Sequence, residues 1–279
     1  MPLDLASTIS LRNGAVPGAA MPRLGLGVWQ SGAGSGTRDA VAAALQAGYR
    51  LVDTAAAYGN EREVGEAVRA SGIPRSEIFV TTKLWNEDQG YATALDAFAR
   101  SAEALDLGAV DLYLLHWPVP GKRLDSWRAL ERLLADGACR AIGVSNFAER
   151  HLRELFAASD TRPAVNQVEL HPFVPQRALR RFCNEHGVVV EAYSPLARGR
   201  RLEDQGLRKV AERHGKSAAQ VMIRWALQQD LVVIPKSSRR GRIVENADVF
   251  DFALDAGDLA TLAALEDGFR TCWDPSAIE

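Results

Sequence analysis

Asp53, Tyr58, Lys83 and His116 are the side chains of this sequence best suited to moving a proton. Asp53 closes the apolar pair Leu51-Val52, Lys83 follows Val80-Thr81-Thr82, and His116 follows Leu112-Tyr113-Leu114-Leu115. Each therefore stands at the end of a stretch with the composition of a buried strand. Taken singly, the bland readings win: Asp53 as a helix cap, Tyr58 as a half-buried ring, Lys83 as a surface lysine, His116 as a satisfied histidine beside Trp117-Pro118. Together they make a proton donor. A tyrosine of ordinary pKa about 10 is a poor acid at neutral pH; a neighbouring ammonium stabilises its phenolate, and a carboxylate can hold that ammonium in place. An imidazole can hydrogen-bond an oxygen on which negative charge develops. Such a set suits protonation of a carbonyl oxygen, and reducing that carbonyl needs a hydride from a cofactor, because side chains supply none.

For these four to meet, their strands must lie side by side. Candidate strands fall near Gly25–Trp29, Leu51–Thr54, Ile78–Lys83, Asp111–His116, Ala141–Val144, Ala164–Gln167, Val188–Tyr193 and Leu231–Pro235. Helical apolar spacing separates them over Thr37–Ala47, Glu61–Ala70, Tyr91–Leu105, Ser126–Leu134, His151–Phe156, Gln176–His186 and Leu207–Gln228, the last long enough for two helices. This alternation predicts an α/β fold, a (β/α)8 TIM barrel forming a single domain over residues 1–279. Residues 8–24, with Asn13-Gly14 and Pro17-Gly18, predict an N-terminal β-hairpin cap. Ala256–Leu265 predicts an extra C-terminal helix, and the tail beyond it, with Trp273, could cross the barrel mouth or pack on its wall. Polar residues at the carboxyl ends of barrel strands face the active site, and adjacent strands lie about 4.8 Å apart. Asp53, Lys83 and His116 would then cluster on three consecutive strands, with Tyr58 on the loop above.

Composition narrows the function. The 279 residues are 47% hydrophobic and 24% charged, enough for a sizeable core, and a formal net charge of −2 offers no field for nucleic acid or an anionic membrane. Cys139, Cys183 and Cys272 lack metal-ligand spacing and read as reduced thiols of a cytoplasmic protein. The start Met1-Pro2-Leu3-Asp4 lacks a signal peptide's basic residues, and no segment has the roughly 18 apolar residues of a membrane span.

A nucleotide has two candidate places. Gly32-Ala33-Gly34-Ser35-Gly36-Thr37 looks like a dinucleotide fingerprint but has Thr37 where the third glycine belongs, and reads mainly as a flexible loop. The stretch Ile234 to Asn246, after the eighth strand, gathers Lys236, Ser237, Ser238, Arg239, Arg240 and Arg242 where barrels bind phosphate. Lys236, Ser237 and Arg242 could hold the 2′-phosphate that distinguishes NADPH from NADH. Ser145, Asn146 and Gln167 could hydrogen-bond a nicotinamide carboxamide, Tyr193 could offer its ring a flat face, and the loop from Ser194 through Leu196 suits a pyrophosphate.

The chain resembles the aldo-keto reductase superfamily over essentially its whole length. The motifs are Gly48-Tyr49-Arg50-Leu51-Val52-Asp53-Thr54-Ala55 with Tyr58 and Asn60-Glu61, Thr82-Lys83-Leu84-Trp85, Asp111-Leu112-Tyr113-Leu114-Leu115-His116-Trp117-Pro118, Gly143-Val144-Ser145-Asn146-Phe147, Asn166-Gln167-Val168-Glu169, Tyr193-Ser194-Pro195-Leu196 and Ile234-Pro235-Lys236-Ser237. The resemblance implies a monomer, NADPH, a small-molecule carbonyl substrate, and a catalytic tetrad falling on Asp53, Tyr58, Lys83 and His116. It places Trp29, Tyr58, Trp85, Asn86, His116, Trp117, Phe147 and Trp273 around the substrate. We expect Gly27, Val28, Trp29, Asp53, Glu245 and Asn246 to join the cofactor contacts. The short loops resemble the bacterial branch containing the 2,5-diketo-D-gluconic acid reductases, and His116 matches the carbonyl-reducing members. Two rivals remain at this point: a non-catalytic NADPH-binding sensor barrel, and a metal-dependent hydrolase built on His116, His171 and Asp53.

Overall fold

The computed structural model describes residues 3–32 and 34–279; Met1 and Pro2 of the amino-terminal stretch and Ala33 of the glycine-rich loop lie outside the described residues. A hairpin comes first, β1 (Thr8–Ser10) antiparallel to β2 (Ala20–Pro22). Eight parallel strands follow, each beside its neighbour in sequence: β3 (Leu26–Gly27), β4 (Leu51–Asp53), β5 (Phe79–Leu84), β6 (Leu112–Leu115), β7 (Ile142–Ser145), β8 (Val165–Glu169), β9 (Val189–Tyr193) and β10 (Val232–Val233). Main-chain bonds close the ring between its ends: Gly25 N–H donates to the Val233 carbonyl at 2.9 Å, and Val233 N–H to that of Arg23 at 2.9 Å. Parallel bridges pair Leu24 with Val233 and Gly27 with Lys236.

Around the barrel run α1 (Ser35–Gln46), α2 (Glu61–Ala70), α3 (Tyr91–Leu105), α4 (Arg123–Ala135), α5 (Glu149–Ala158), α6 (Arg177–Glu185), α7 (Gln205–His214), α8 (Ala218–Gln228), α9 (Arg240–Ala247) and α10 (Ala256–Ala263). Nine of these answer the periodic stretches, including the division of Leu207–Gln228 at Gly215, whose φ of 61° suits glycine as the stop of α7. The exception is α9. Its segment reads as a basic loop because Ile243 is its one buried apolar side chain, too few to show a helical period.

Period-two alternation sorts the strand residues into two cores. Val52, Val80, Tyr113, Val144, Val168, Val190 and Val233 point outward and pack with the helices. Leu51, Phe79, Leu112, Ala141, Val165, Val189 and Val232 point inward and form an apolar floor, onto which Leu11, Ala19 and Met21 of the hairpin region pack. The hairpin therefore plugs the amino-terminal end. Further along the same inward face, two residues on in β4, β8 and β9 and four on in β5, stand Asp53, Gln167, Glu191 and Lys83, all buried. A polar layer thus lies above an apolar one inside a single barrel.

Candidate active site

Lys83 is the hub of that polar layer. Its side chain is 0% exposed, and its ammonium donates to Asp53 Oδ1 at 2.7 Å, to the Thr54 carbonyl at 2.8 Å and to the Tyr58 hydroxyl at 3.3 Å. Burial pulls the Lys83 pKa down, but the Asp53 and Tyr58 charges more than offset it, so the ammonium is held above its ordinary value. Asp53 is pushed up by burial, against Lys83 and Gln167, which stabilise its charge. Its Oδ2 accepts from Gln167 Nε2 at 2.7 Å, and the same nitrogen stands 2.7 Å from Glu191 Oε2. Burial and the nearby Asp53 charge push Glu191 up to about 8.

Tyr58 reaches this hub from a short 3-10 turn, Ala56–Tyr58, just past β4. Lys83 lowers its pKa as the sequence implies, yet burial outweighs the ammonium, and the phenol stays above its ordinary value. It is therefore protonated at neutral pH, as a proton donor must be. His116 lies edge-on to both Tyr58 and Trp85, with ring centroids 5.8 and 5.2 Å away. Burial, then the Lys83 charge, hold its pKa well below the usual imidazole range, so it is neutral. Its Nδ1 is buried without a protein partner.

Asp53, Tyr58, His116 and Gln167 line one end of a cavity of about 1300 Å³ that extends to the start of α9. Trp29, Trp85, Trp117 and Trp273 stand on its wall near His116, and Lys236, Ser237, Ser238, Arg239 and Arg242 line the other end. Among the described residues no carboxylate lies within salt-bridge distance of Lys236, Arg239 or Arg242. Burial lowers the Lys236 pKa. Unpaired cations on a cavity wall fit a polyanionic ligand, and the cavity's length fits a nucleotide with its phosphates at this end. Between the two ends, Ser145 Oγ donates to the Gln167 carbonyl at 3.0 Å, and Asn146 Nδ2 donates to the His116 carbonyl at 3.0 Å and to Ser145 Oγ at 3.1 Å. Tyr193 OH donates to Asn146 Oδ1 at 2.8 Å. What Ser145 and Asn146 still offer the cavity is acceptor lone pairs, which suit an amide N–H.

The aldo/keto reductase family model matches residues 23–267. The chain belongs to the aldo/keto reductase family. It is thus an NADP-dependent oxidoreductase acting on aldehydes or ketones. It is 48% identical to glyoxal reductase of Bacillus subtilis (strain 168) over 278 residues, covering 100% of this chain and 99% of that protein. It is 50% identical to 9,11-endoperoxide prostaglandin H2 reductase of Trypanosoma cruzi (strain CL Brener) over 258 residues, 91% of each. Among solved structures it is similar to a Gox0644 mutant in complex with NADPH, with a TM-score of 0.90 and 42% identity over 98% of each chain.

Four expected site residues of this aldo/keto reductase stand off the cavity wall, Lys83 because it is wholly buried behind Asp53 and Tyr58. Val28 continues the outward parity of Leu24 and Leu26 and is buried among the helices. Phe147 is fully buried against His151 of α5, their ring centroids 5.8 Å apart, because Asn146 turns the chain with a φ of 63°. Asn86 opens the 3-10 turn Asn86–Asp88 beyond Trp85 and does not reach the wall. The remaining expected contacts, Gly27, Trp29, Ser194, Leu196, Glu245 and Asn246 among them, do line it. So does Tyr193. None of Gly32, Gly34 to Thr37 lines the cavity; Thr37 Oγ1 instead donates to the Gly32 carbonyl at 2.7 Å, so that loop is tied down locally.

Other wall residues are invisible in the sequence. The Arg198 guanidinium lies 4.2 Å over the Trp29 ring, and Thr271 and Cys272 bring the tail across the mouth. The tail is held by Glu169 at the end of β8, which accepts from Thr271 N–H at 2.6 Å, Thr271 Oγ1 at 2.5 Å and Cys272 N–H at 3.1 Å. Burial raises the Glu169 pKa, but His171 and these tail donors win and leave it below the ordinary value. Trp273 then stands 5.9 Å from Trp117 between ring centroids, still 76% exposed. His171 serves this anchor, with Nε2 3.3 Å from Glu169 Oε1, and no group of three His, Cys, Asp or Glu side chains gathers as a metal site among the described residues.

Proposed function

We propose that Tyr58 is the proton donor in the reduction of a small aldehyde or ketone bound between it, His116 and the cavity tryptophans. The observation that carries this reading is the Lys83 ammonium, 3.3 Å from the Tyr58 hydroxyl while locked 2.7 Å from Asp53. When bound, NADPH would supply the hydride for the carbonyl carbon. The Tyr58 O–H gives its proton to the carbonyl oxygen, so that an alcohol results. As the phenolate forms, Lys83 stabilises it through a hydrogen bond already in place, and Asp53 keeps Lys83 from moving. Neutral His116 donates to the same substrate oxygen and orients it. Lys236, Ser237 and Arg242 would hold the 2′-phosphate, while Gln167, Ser145 and Asn146 would accept from the nicotinamide carboxamide. Four tryptophans around a small polar centre support broad acceptance of carbonyl compounds.

The chain acts, in this reading, as a single-domain monomer in the cytoplasm, without nucleic acid or membrane. Its net charge of −2, its free cysteines, and the lack of any helix long and apolar enough to cross a membrane among the described residues support this. Oxidation of NADPH by a simple aldehyde, followed at its nicotinamide absorbance, tests the reaction; no oxidation across a panel of small aldehydes and ketones would refute it. Light scattering in solution tests the monomer.

A further inference from the structure

Lys83 has three hydrogens, and Asp53, Thr54 and Tyr58 take all of them. The polar layer holds a second carboxylate, Glu191, for which no ammonium hydrogen remains. Glu191 is fully buried, faces inward from β9, and is register partner to Gln167 on β8. Its Oε1 has no protein partner, and its Oε2 meets one atom, Gln167 Nε2, at 2.7 Å. That atom also lies 2.7 Å from Asp53 Oδ2. Asp53, ionised against Lys83, can only accept, so the Gln167 atom between the two acids must be the amide nitrogen and not the oxygen. Both amide hydrogens are then spent, one on each acid. The carbonyl oxygen is the Gln167 atom left to meet a ligand on the cavity wall.

We propose that Glu191 is a positioning residue: by taking one hydrogen of the Gln167 amide while Asp53 takes the other, it locks the Gln167 carbonyl toward the cavity. There the carbonyl selects an amide N–H, the carboxamide of nicotinamide, and disfavours a ring substituent that only accepts. The selection rests on the reading that this end of the cavity takes the nicotinamide; the lock does not. Were Glu191 apolar, the amide would keep one bond to Asp53 and could turn its second hydrogen into the cavity, offering a donor where the wild type offers only an acceptor. Asp53 from β4, Lys83 from β5 and Gln167 from β8 face Glu191, and the first of these charges, added to burial, keeps it largely protonated at neutral pH. A protonated acid still accepts through its carbonyl oxygen, so Glu191→Gln imitates the working form.

The test uses the full chain as wild type, Glu191→Gln and Glu191→Leu. Tryptophan fluorescence titrations compare NADP+ with its 3-acetylpyridine analogue, which keeps the ring carbonyl and lacks the N–H. The wild type should prefer NADP+ about tenfold, Glu191→Gln should keep that ratio within about twofold, and Glu191→Leu should shrink it to about threefold or less. Without cofactor, both side-chain amide protons of Gln167, assigned in 15N-glutamine-labelled protein by their loss in Gln167→Leu, should be displaced downfield. One should return to its ordinary position in Glu191→Leu. A Glu191→Leu protein with both protons still displaced and the full cofactor preference overturns the inference. Equal wild-type affinity for the two cofactors, with Gln167 still locked, would instead remove the nicotinamide contact and leave the lock standing.

Discussion

The Lys83 ammonium lies over the Tyr58 ring, 4.9 Å from its centre and 3.3 Å from the hydroxyl oxygen. A phenolate formed on Tyr58 would therefore be stabilised by an ammonium already in contact with it. Tyr58→Phe keeps the ring and loses the proton. We expect turnover of an aldehyde to fall by about 10²–10⁴-fold while the NADPH dissociation constant stays within about twofold. Lys83→Met should lower turnover as well, and it leaves Asp53 buried without its cation, at a cost of about 3–5 kcal/mol in urea unfolding. Undiminished turnover in Tyr58→Phe would remove Tyr58 from the chemistry.

At the opposite end of the cavity, Lys236 and Arg242 have no carboxylate partner among the described residues, so their charge is free for a ligand's phosphate. The double variant Lys236→Ala with Arg242→Ala should weaken NADPH about 100-fold and NADH by no more than about twofold, read by fluorescence titration. A similar loss for both cofactors would mean that these cations see the pyrophosphate shared by the two and not the 2′-phosphate.

Glu191 makes stability depend on pH. With a pKa raised to about 8 from an ordinary 4.5, it keeps in the folded chain a proton that the unfolded chain gives up. Its contribution is thus complete below the unfolded value, erodes as pH rises past it, and is gone above the folded value. Glu191→Gln carries no such proton. Its advantage over the wild type in urea unfolding should grow from pH 5 to pH 9 by on the order of 3 kcal/mol. A pH-independent difference between the two proteins would argue against a protonated Glu191.

Glu169 and the tail lie about a hundred residues apart in sequence, yet this carboxylate holds Thr271 and Cys272 at the mouth, while Arg123 and His151 meet the last residues of the tail. Glu169→Gln loses the charge that strengthens the bonds to Thr271 and Cys272. Proteases should then cleave within residues 270–275 at least several-fold faster, and substrate KM should rise about threefold to tenfold with kcat little changed. Unaltered proteolysis would show that packing of Trp273 and its neighbours holds the tail by itself.

The elements that position the tetrad could be read from the sequence because each strand is apolar, short and bounded by turn chemistry, and each polar residue of the tetrad falls at or just past a strand end. Lys83 and His116 were legible for that reason. Glu191 was not: it sits inside a run that reads as an ordinary buried strand, although an acid at an inward position between Val189 and Tyr193 was a signal available to strict period-two counting. The Val28 misplacement is the same lesson, since parity sends it outward from the cavity. Glu169's hold on Thr271 and the stacking of Arg198 on Trp29 join loops far apart in the chain, and no local pattern carries such pairings. The basic segment of α9 hid its helix because its function is charge and its apolar face is a single isoleucine.

The hairpin's plug at the barrel floor has a consequence for traffic. With Met21 and its neighbours sealing one end of the barrel, the cavity is entered from the other, where Trp273 and Arg198 stand on its wall. Two occupants entering from the same end of the barrel must queue, and the one whose reactive ring goes deepest is the first in and the last out. Product-inhibition patterns should therefore show the nucleotide leading and the carbonyl compound following, whereas random order would mean that the tail swings wide enough to make a second door.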